Sequence, residues 1–123
     1  MSDPVTRSLY ITAMEPHSGK SIVALGLMET MSARVDRIGF FRPISAPGNG
    51  LDPQIEMIRR RYRLSATHAA MHALSADEAS SMIAAGDQDR LEQRVFDAYK
   101  ALEAQCDVVI CEGTDFGGVG PGV

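Results

Sequence analysis

The tetrapeptide Ser18-Gly19-Lys20-Ser21 constrains this chain most, because of what flanks it. Upstream, residues 8–13 (SLYITA) are short, apolar and β-rich, and read as a strand. Pro16 and Gly19 turn the chain. Downstream, residues 21–32 (SIVALGLMETMS) place Ile22, Leu25 and Met28 on one helical face with Val23 and Leu27 beside it. That predicts a helix buried over much of its surface. Residues 37–42 (RIGFFR) read as a second strand, stopped by Pro43. Strand, tight turn, helix, strand is a βαβ unit, whose usual outcome is parallel pairing. Gly-Lys-Ser at the turn into its helix is the second half of a phosphate-binding loop. Gly19 lets the backbone approach an oxyanion, and the free N–H groups and dipole of the helix start favour an anion there.

The rest of the chain continues the alternation. Residues 43–53 hold three Pro and two Gly and read as a loop. A short helix follows over residues 54–62, and residues 65–74 are ambiguous between helix and strand. Ser75-Ala76-Asp77-Glu78 is a capping box opening a helix that Gly86 closes. Asp87 is a good N-cap for a long helix to about residue 105, with Leu91, Val95, Ala98 and Leu102 in one apolar stripe. Residues 107–112 (DVVICE) form a third strand, apolar on both faces as in a covered parallel sheet. Residues 113–123 hold five Gly and one Pro without periodicity. The fold class these elements imply is α/β: a three-layer parallel sheet of P-loop NTPase type, incomplete, with about three strands and flanking helices. Sheets of this class usually have about five strands or more, so residues 1–123 are expected to be a partial domain. One edge of the first strand is then expected to be open and the stability marginal.

Several function classes drop out. Twelve Lys+Arg against 16 Asp+Glu leave a charge of −4, without the basic footprint of a nucleic-acid binder. No apolar run approaches ~18–20 residues, and Met1-Ser2-Asp3-Pro4 lacks a basic segment leading into an apolar one, so no membrane partner is expected and the location expected is cytoplasmic. Cys106 and Cys111, ~16 Å apart along extended chain, are expected as reduced thiols.

The chemistry concentrates at the loop. Ser18, Gly19, Lys20 and Ser21 are the candidate phosphate or nucleotide ligands, with Lys20 neutralising phosphate oxygens and the Ser21 hydroxyl on Mg²⁺. The first glycine usual in such loops is replaced by Met14. Glu112, ending the third strand, is the candidate acid opposite the loop, reaching Mg²⁺ or else standing as a solvated strand-end carboxylate. Asp115 is a second candidate. Glu15, beside His17 in the turn, either joins the metal shell or repels phosphate. ATP with Mg²⁺ is the candidate cofactor, and neither zinc nor haem is expected. His68 and His72 are four apart but lack the Glu and the third ligand of a zinc helix. Arg59, Arg60, Arg61 and Arg63 read as a solvated helix end, and Met28, Met31, Met57 and Met71 as core.

Taken together, residues 10–13 (YITA), Glu15-Pro16, Ser18-Gly19-Lys20-Ser21, residues 24–27 (ALGL), residues 39–44 (GFFRPI) and residues 108–116 (VVICEGTDF) resemble the N-terminal region of long-form bacterial phosphate acetyltransferases. That region is a P-loop-type domain similar to dethiobiotin synthetase and cobyric acid synthase. The chain departs from dethiobiotin synthetase at Ala13, Glu15 and His17, and at Arg42, where that family holds its substrate with Lys. The resemblance implies that acetyl transfer between coenzyme A and phosphate belongs to a C-terminal domain absent from residues 1–123. Catalytic residues are therefore expected to be none, and the segment to be regulatory or to serve assembly with other copies of the chain or a phosphate acetyltransferase assembly. Two alternatives stand beside it: an ATP- and Mg-binding enzyme of dethiobiotin synthetase type, and a ligand-free oligomerisation module.

Overall fold

The computed structural model describes residues 7–11, 20–46 and 50–113. Among them run four strands, β1 (Arg7–Ile11), β2 (Ile38–Ser45), β3 (His72–Ser75) and β4 (Val108–Glu112). They form one parallel sheet in the order β1-β4-β2-β3. The helices are α1 (Lys20–Ser32), α2 (Pro53–Arg61), α3 (Ala76–Ala84) and α4 (Gln88–Glu103), with a 3-10 turn at His68–Met71. The α/β parallel architecture is as expected, but the described strands number four, not three. The fourth, β3, lies inside the ambiguous stretch; four residues beginning with His carry too little periodicity to be read as a strand.

The neighbouring rings of Phe40 and Phe41 point to opposite faces of the sheet, so each face has its own core. Phe40, Val108 and Ile110 pack with Ala24 and Met28 of α1, Ile55 and Ile58 of α2, and Met71. Phe41, Val109 and Cys111 pack with Leu102 and Cys106 and with Val95, Ala98 and Tyr99 of α4. The Tyr99 ring meets Phe41 edge-on at 5.9 Å. All five β4 residues are buried because both faces are covered, as the unbroken apolar run indicated. Gly39 permits close approach of the second layer: a Cβ there would stand 2.6 Å from the Cys106 sulfur. Both cysteines are reduced and buried, and burial raises both thiols, that of Cys111 to about 11, so neither is a ready nucleophile.

Three local readings are corrected. β2 runs through Pro43 to Ser45. Pro43 lies past the last pair with β4 (Phe41↔Cys111) and between Arg42 and Ile44, two of the three residues paired with β3, so the ladder tolerates its missing N–H. The fully buried stripe of α1 is Ala24 and Met28, flanked by Leu25, Leu27 and Met31, while Val23 is exposed. A helix apolar all round does not reveal from sequence which side meets the sheet. Met57 is likewise exposed rather than core.

The helix ends follow their chemistry. Ser75 and Glu78 close the expected capping box on α3. Gly86, at φ +79°, ends α3 with its own N–H on the Ile83 carbonyl and that of Asp87 on Met82. Asp87 occupies the N-cap of α4 without a side-chain cap bond. The arginines in the last turn of α2 do more than face water: Arg61 pairs with Glu29 of α1 at 2.6 Å, and Arg59 donates to the Ala66 carbonyl.

Candidate functional site

The β1–β4 register sets Ile11 beside Glu112, the last residues of their strands. α1 begins at Lys20, and five residues join its last turn to the start of β2 at the amino end of the sheet. Its first turn therefore lies at the carboxyl end. Lys20 and Ser21 are its first two residues, so their N–H groups belong to the four that a helix start leaves without intrahelical partners. Topology thus brings the start of α1 and the end of β4 to one end of the sheet. The other expected loop ligands, Ser18 and Gly19, with Glu15 and His17, lie outside the described residues, as does Asp115.

Glu112 is not a solvated strand end. Its side chain is 1% exposed, because it shares the face of Val108 and Ile110 beneath the helices. The Gln54 amide donates to its Oε1 at 3.2 Å, and Arg42 Nε stands 3.5 Å from its Oε2. Arg42, on β2, reaches the other way as well: its Nη1 donates to both oxygens of Asp52, at 3.0 and 2.9 Å. The Asp52 side chain is completely buried and caps α2, accepting from the N–H groups of Gln54 and Ile55 and from that of Ala46. Burial alone would raise its pKa. The Ala46 N–H, the Arg42 charge and the two helix N–H groups outweigh burial and hold the carboxyl below its ordinary range.

This buried chain of Asp52, Arg42, Glu112 and Gln54 was missed in the sequence as a unit. A signal for Asp52 was present: Asp followed by Pro is a strong helix start, with Pro at the first helical position. Arg42 was read as standing where a related family holds substrate. Here its guanidinium is committed to two carboxylates of its own chain.

His68 supports the same corner. Its Nε2 accepts the Asp52 backbone N–H at 2.9 Å, which requires that nitrogen unprotonated. His72 stacks near it, ring centres 5.0 Å apart, with Nδ1 3.2 Å from the His68 carbonyl. Burial first, and then the neighbouring His72, depress the His68 pKa below its ordinary 6.5. A base whose folded pKa is depressed contributes stability above its unfolded pKa, and that stability is lost as pH falls through the folded value. The urea midpoint is therefore expected to fall between pH 7.5 and 5.5, by about the 1 kcal/mol of one hydrogen bond. His68→Gln, which offers an acceptor that does not titrate, should flatten that change. An unaltered pH profile in the variant would show that His68 is not its source. Asp52 adds a further loss only below ~4, where its carboxyl protonates more readily in the unfolded chain.

The expected Mg²⁺ set of Ser21, Glu112 and Glu15 meets an obstacle at Glu112. The described carboxylate accepts from the Gln54 amide and has the Arg42 guanidinium 3.5 Å away without a hydrogen bond between Nε and Oε2, and a cation beside it repels a second cation. Among the described residues no group of three or more His, Cys, Asp or Glu gathers around one point. Of that set only the Glu112 side chain is described; those of Ser21 and Glu15 lie outside the described residues.

Beside this corner, on the opposite face, an apolar groove of about 500 Å³ is lined by Phe41, Pro43, Leu91, Val95, Phe96 and Cys111 among others. Phe96 is 58% exposed there. No helix among the described residues is long and apolar enough to cross a membrane.

A protein-family profile described as an AAA domain matches residues 7–122. Among curated proteins, the phosphate acetyltransferase of Nitratidesulfovibrio vulgaris is 39% identical over 114 residues, and that of Synechocystis sp. 36% over 114 residues. Each alignment covers 91% of this chain and 16% of the relative. The phosphate acetyltransferase of Haemophilus influenzae is 23% identical over 112 residues, covering 89% of this chain and 15% of its own length. The chain therefore spans roughly a sixth of the length of the curated relatives it matches.

Proposed function

We propose, because the chain belongs to the AAA domain family, of the P-loop, dethiobiotin synthetase-like kind, that it is a non-catalytic segment of a phosphate acetyltransferase, binding a phosphorylated ligand at the start of α1 and regulating or assembling the larger enzyme. The observation that supports this most is the β1–β4 register. It sets the carboxyl end of β1 beside Glu112, with α1 opening at Lys20 at the same end of the sheet. In this reading the unpartnered N–H groups and the dipole of α1 attract an oxyanion whose charge Lys20 neutralises. Ser18, Gly19, Lys20 and Ser21 are its ligands in this reading. ATP is the nucleotide to test first, since the Lys of such a loop serves β- and γ-phosphates. Acetyl transfer between coenzyme A and phosphate is assigned to residues that this chain does not hold.

Calorimetric titration of the chain with ATP tests the reading. Heat is expected for the unaltered protein, and Lys20→Ala should weaken binding by about tenfold or more, the worth of one charged hydrogen bond. Acetyl-CoA and phosphate incubated with the chain should yield no acetyl phosphate. ATP binding that ignores Lys20→Ala, or robust acetyl phosphate formation, would overturn it.

The assembly part of the proposal draws on the apolar groove. Its near-complete lack of polar lining and the exposed Phe96 suit contact with another apolar surface, in the same enzyme or in a second copy. Cytoplasmic location follows from this reading as part of the proposal.

A further inference from the structure

Two buried carboxylates that face one shared neighbour at the carboxyl end of a parallel sheet ordinarily need a cation. Asp52 and Glu112 are such a pair, with side chains 0% and 1% exposed. Each alone would face a large desolvation cost if ionised without a partner. The group that meets both is Arg42. Its Nη1 holds both Asp52 oxygens at 3.0 and 2.9 Å, and its Nε lies 3.5 Å from Glu112 Oε2. Asp52 also accepts three backbone N–H groups, two of them from the positive end of α2. The guanidinium is therefore not consumed by Asp52 and leaves positive charge facing Glu112. Gln54, in the first turn of that helix, fixes the other Glu112 oxygen.

We infer that Arg42 is a resident cation, bridging Asp52 and Glu112 in the place a divalent metal would take, so that this end of the sheet carries its positive charge covalently and binds no Mg²⁺ or Mn²⁺ through Glu112. The inference concerns the carboxylates, not the phosphate loop, and stands or falls without nucleotide. A guanidinium is planar, permanently charged and able to donate in two directions at once, which suits two carboxylates approaching from different elements. A metal at the same point would have to displace it from both carboxylates.

The test is Mn²⁺ binding to the whole chain, read from loss of the free-ion electron paramagnetic resonance signal, without nucleotide. The unaltered protein is expected to leave the signal undiminished by any Glu112-dependent site. Arg42→Gln keeps an amide donor for Asp52 but removes the charge. It should gain Mn²⁺ affinity on the order of 10- to 100-fold, the scale of one lost like charge at short range. Adding Glu112→Gln to it should abolish the gain. Should Arg42→Gln fold poorly, its melting temperature provides the second reading: Mn²⁺ and Mg²⁺ should raise it, while leaving the unaltered protein unmoved. Mn²⁺ binding by the unaltered protein that Glu112→Gln removes would overturn the inference. So would an Arg42→Gln protein that neither binds Mn²⁺ more tightly nor is stabilised by it.

Discussion

Arg42→Met is expected to destabilise the domain by about 3–5 kcal/mol in metal-free buffer, one of the two largest losses we anticipate for a single substitution. The magnitude comes from what is left behind more than from what is removed. Met fills much of the volume, but the buried Glu112 carboxylate loses the guanidinium beside it while keeping the Gln54 contact. Asp52 is better protected, since three backbone N–H groups still hold it. The two carboxylates should therefore respond differently to repair. Arg42→Met combined with Glu112→Gln should recover more than half of the loss, because a neutral amide can keep the Gln54 contact. Chemical denaturation of the two single variants and the double variant gives the coupling directly. Strictly additive losses would mean that Arg42 and Glu112 do not act as a pair.

Phe40→Ala should cost a comparable ~3–5 kcal/mol, by a different route. The ring is fully buried where α1, α2 and the sheet meet, against Ala24, Met28, Ile55 and Ile58. Truncation leaves a cavity in the layer that seats the helix opening at Lys20, and the surrounding side chains come from three elements that cannot all move inward. Since a domain of this size is held by only ~5–15 kcal/mol, the melting temperature should drop on the order of 10–25 °C. Phe96→Ala is the control. Its ring is 58% exposed at the apolar groove, and its loss should stay within about 0.5 kcal/mol. Equal destabilisation by the two would contradict the division of apolar residues into core and open surface.

Much of this architecture was legible locally. The β-rich run before Ser18, the apolar segment after it, the Ser75–Glu78 capping box and the unbroken run of β4 each announce an element through propensity and period. β3 was not legible, because four residues at the end of a 3-10 turn owe their strand geometry to pairing with β2 rather than to their own pattern. The face of α1 was not legible either, since Val23 and Met28 are alike in hydropathy and differ only in what stands opposite. At the site, Lys20 and Glu112 were set opposite each other only through the fold class that the motif and strand end imply. Their placement at one end of the sheet rests on a register between strands about 100 residues apart in sequence, which no local pattern encodes.

By itself the sequence determined the class of fold, the family resemblance and the loop we propose as an anion site. These depend on short-range chemistry: glycine at a turn, a lysine at a helix start, apolar period along each element. Tertiary structure alone decided what Glu112 faces. A carboxylate at a strand end is solvated or buried according to which helices cover that face, and its partner is whichever group the neighbouring strand delivers. Here β2 delivers Arg42, with Asp52 fixing it from the cap of α2. Sequence shows each charge separately, whereas the free energy of a buried charge depends on distance and dielectric, which exist only once the sheet has formed.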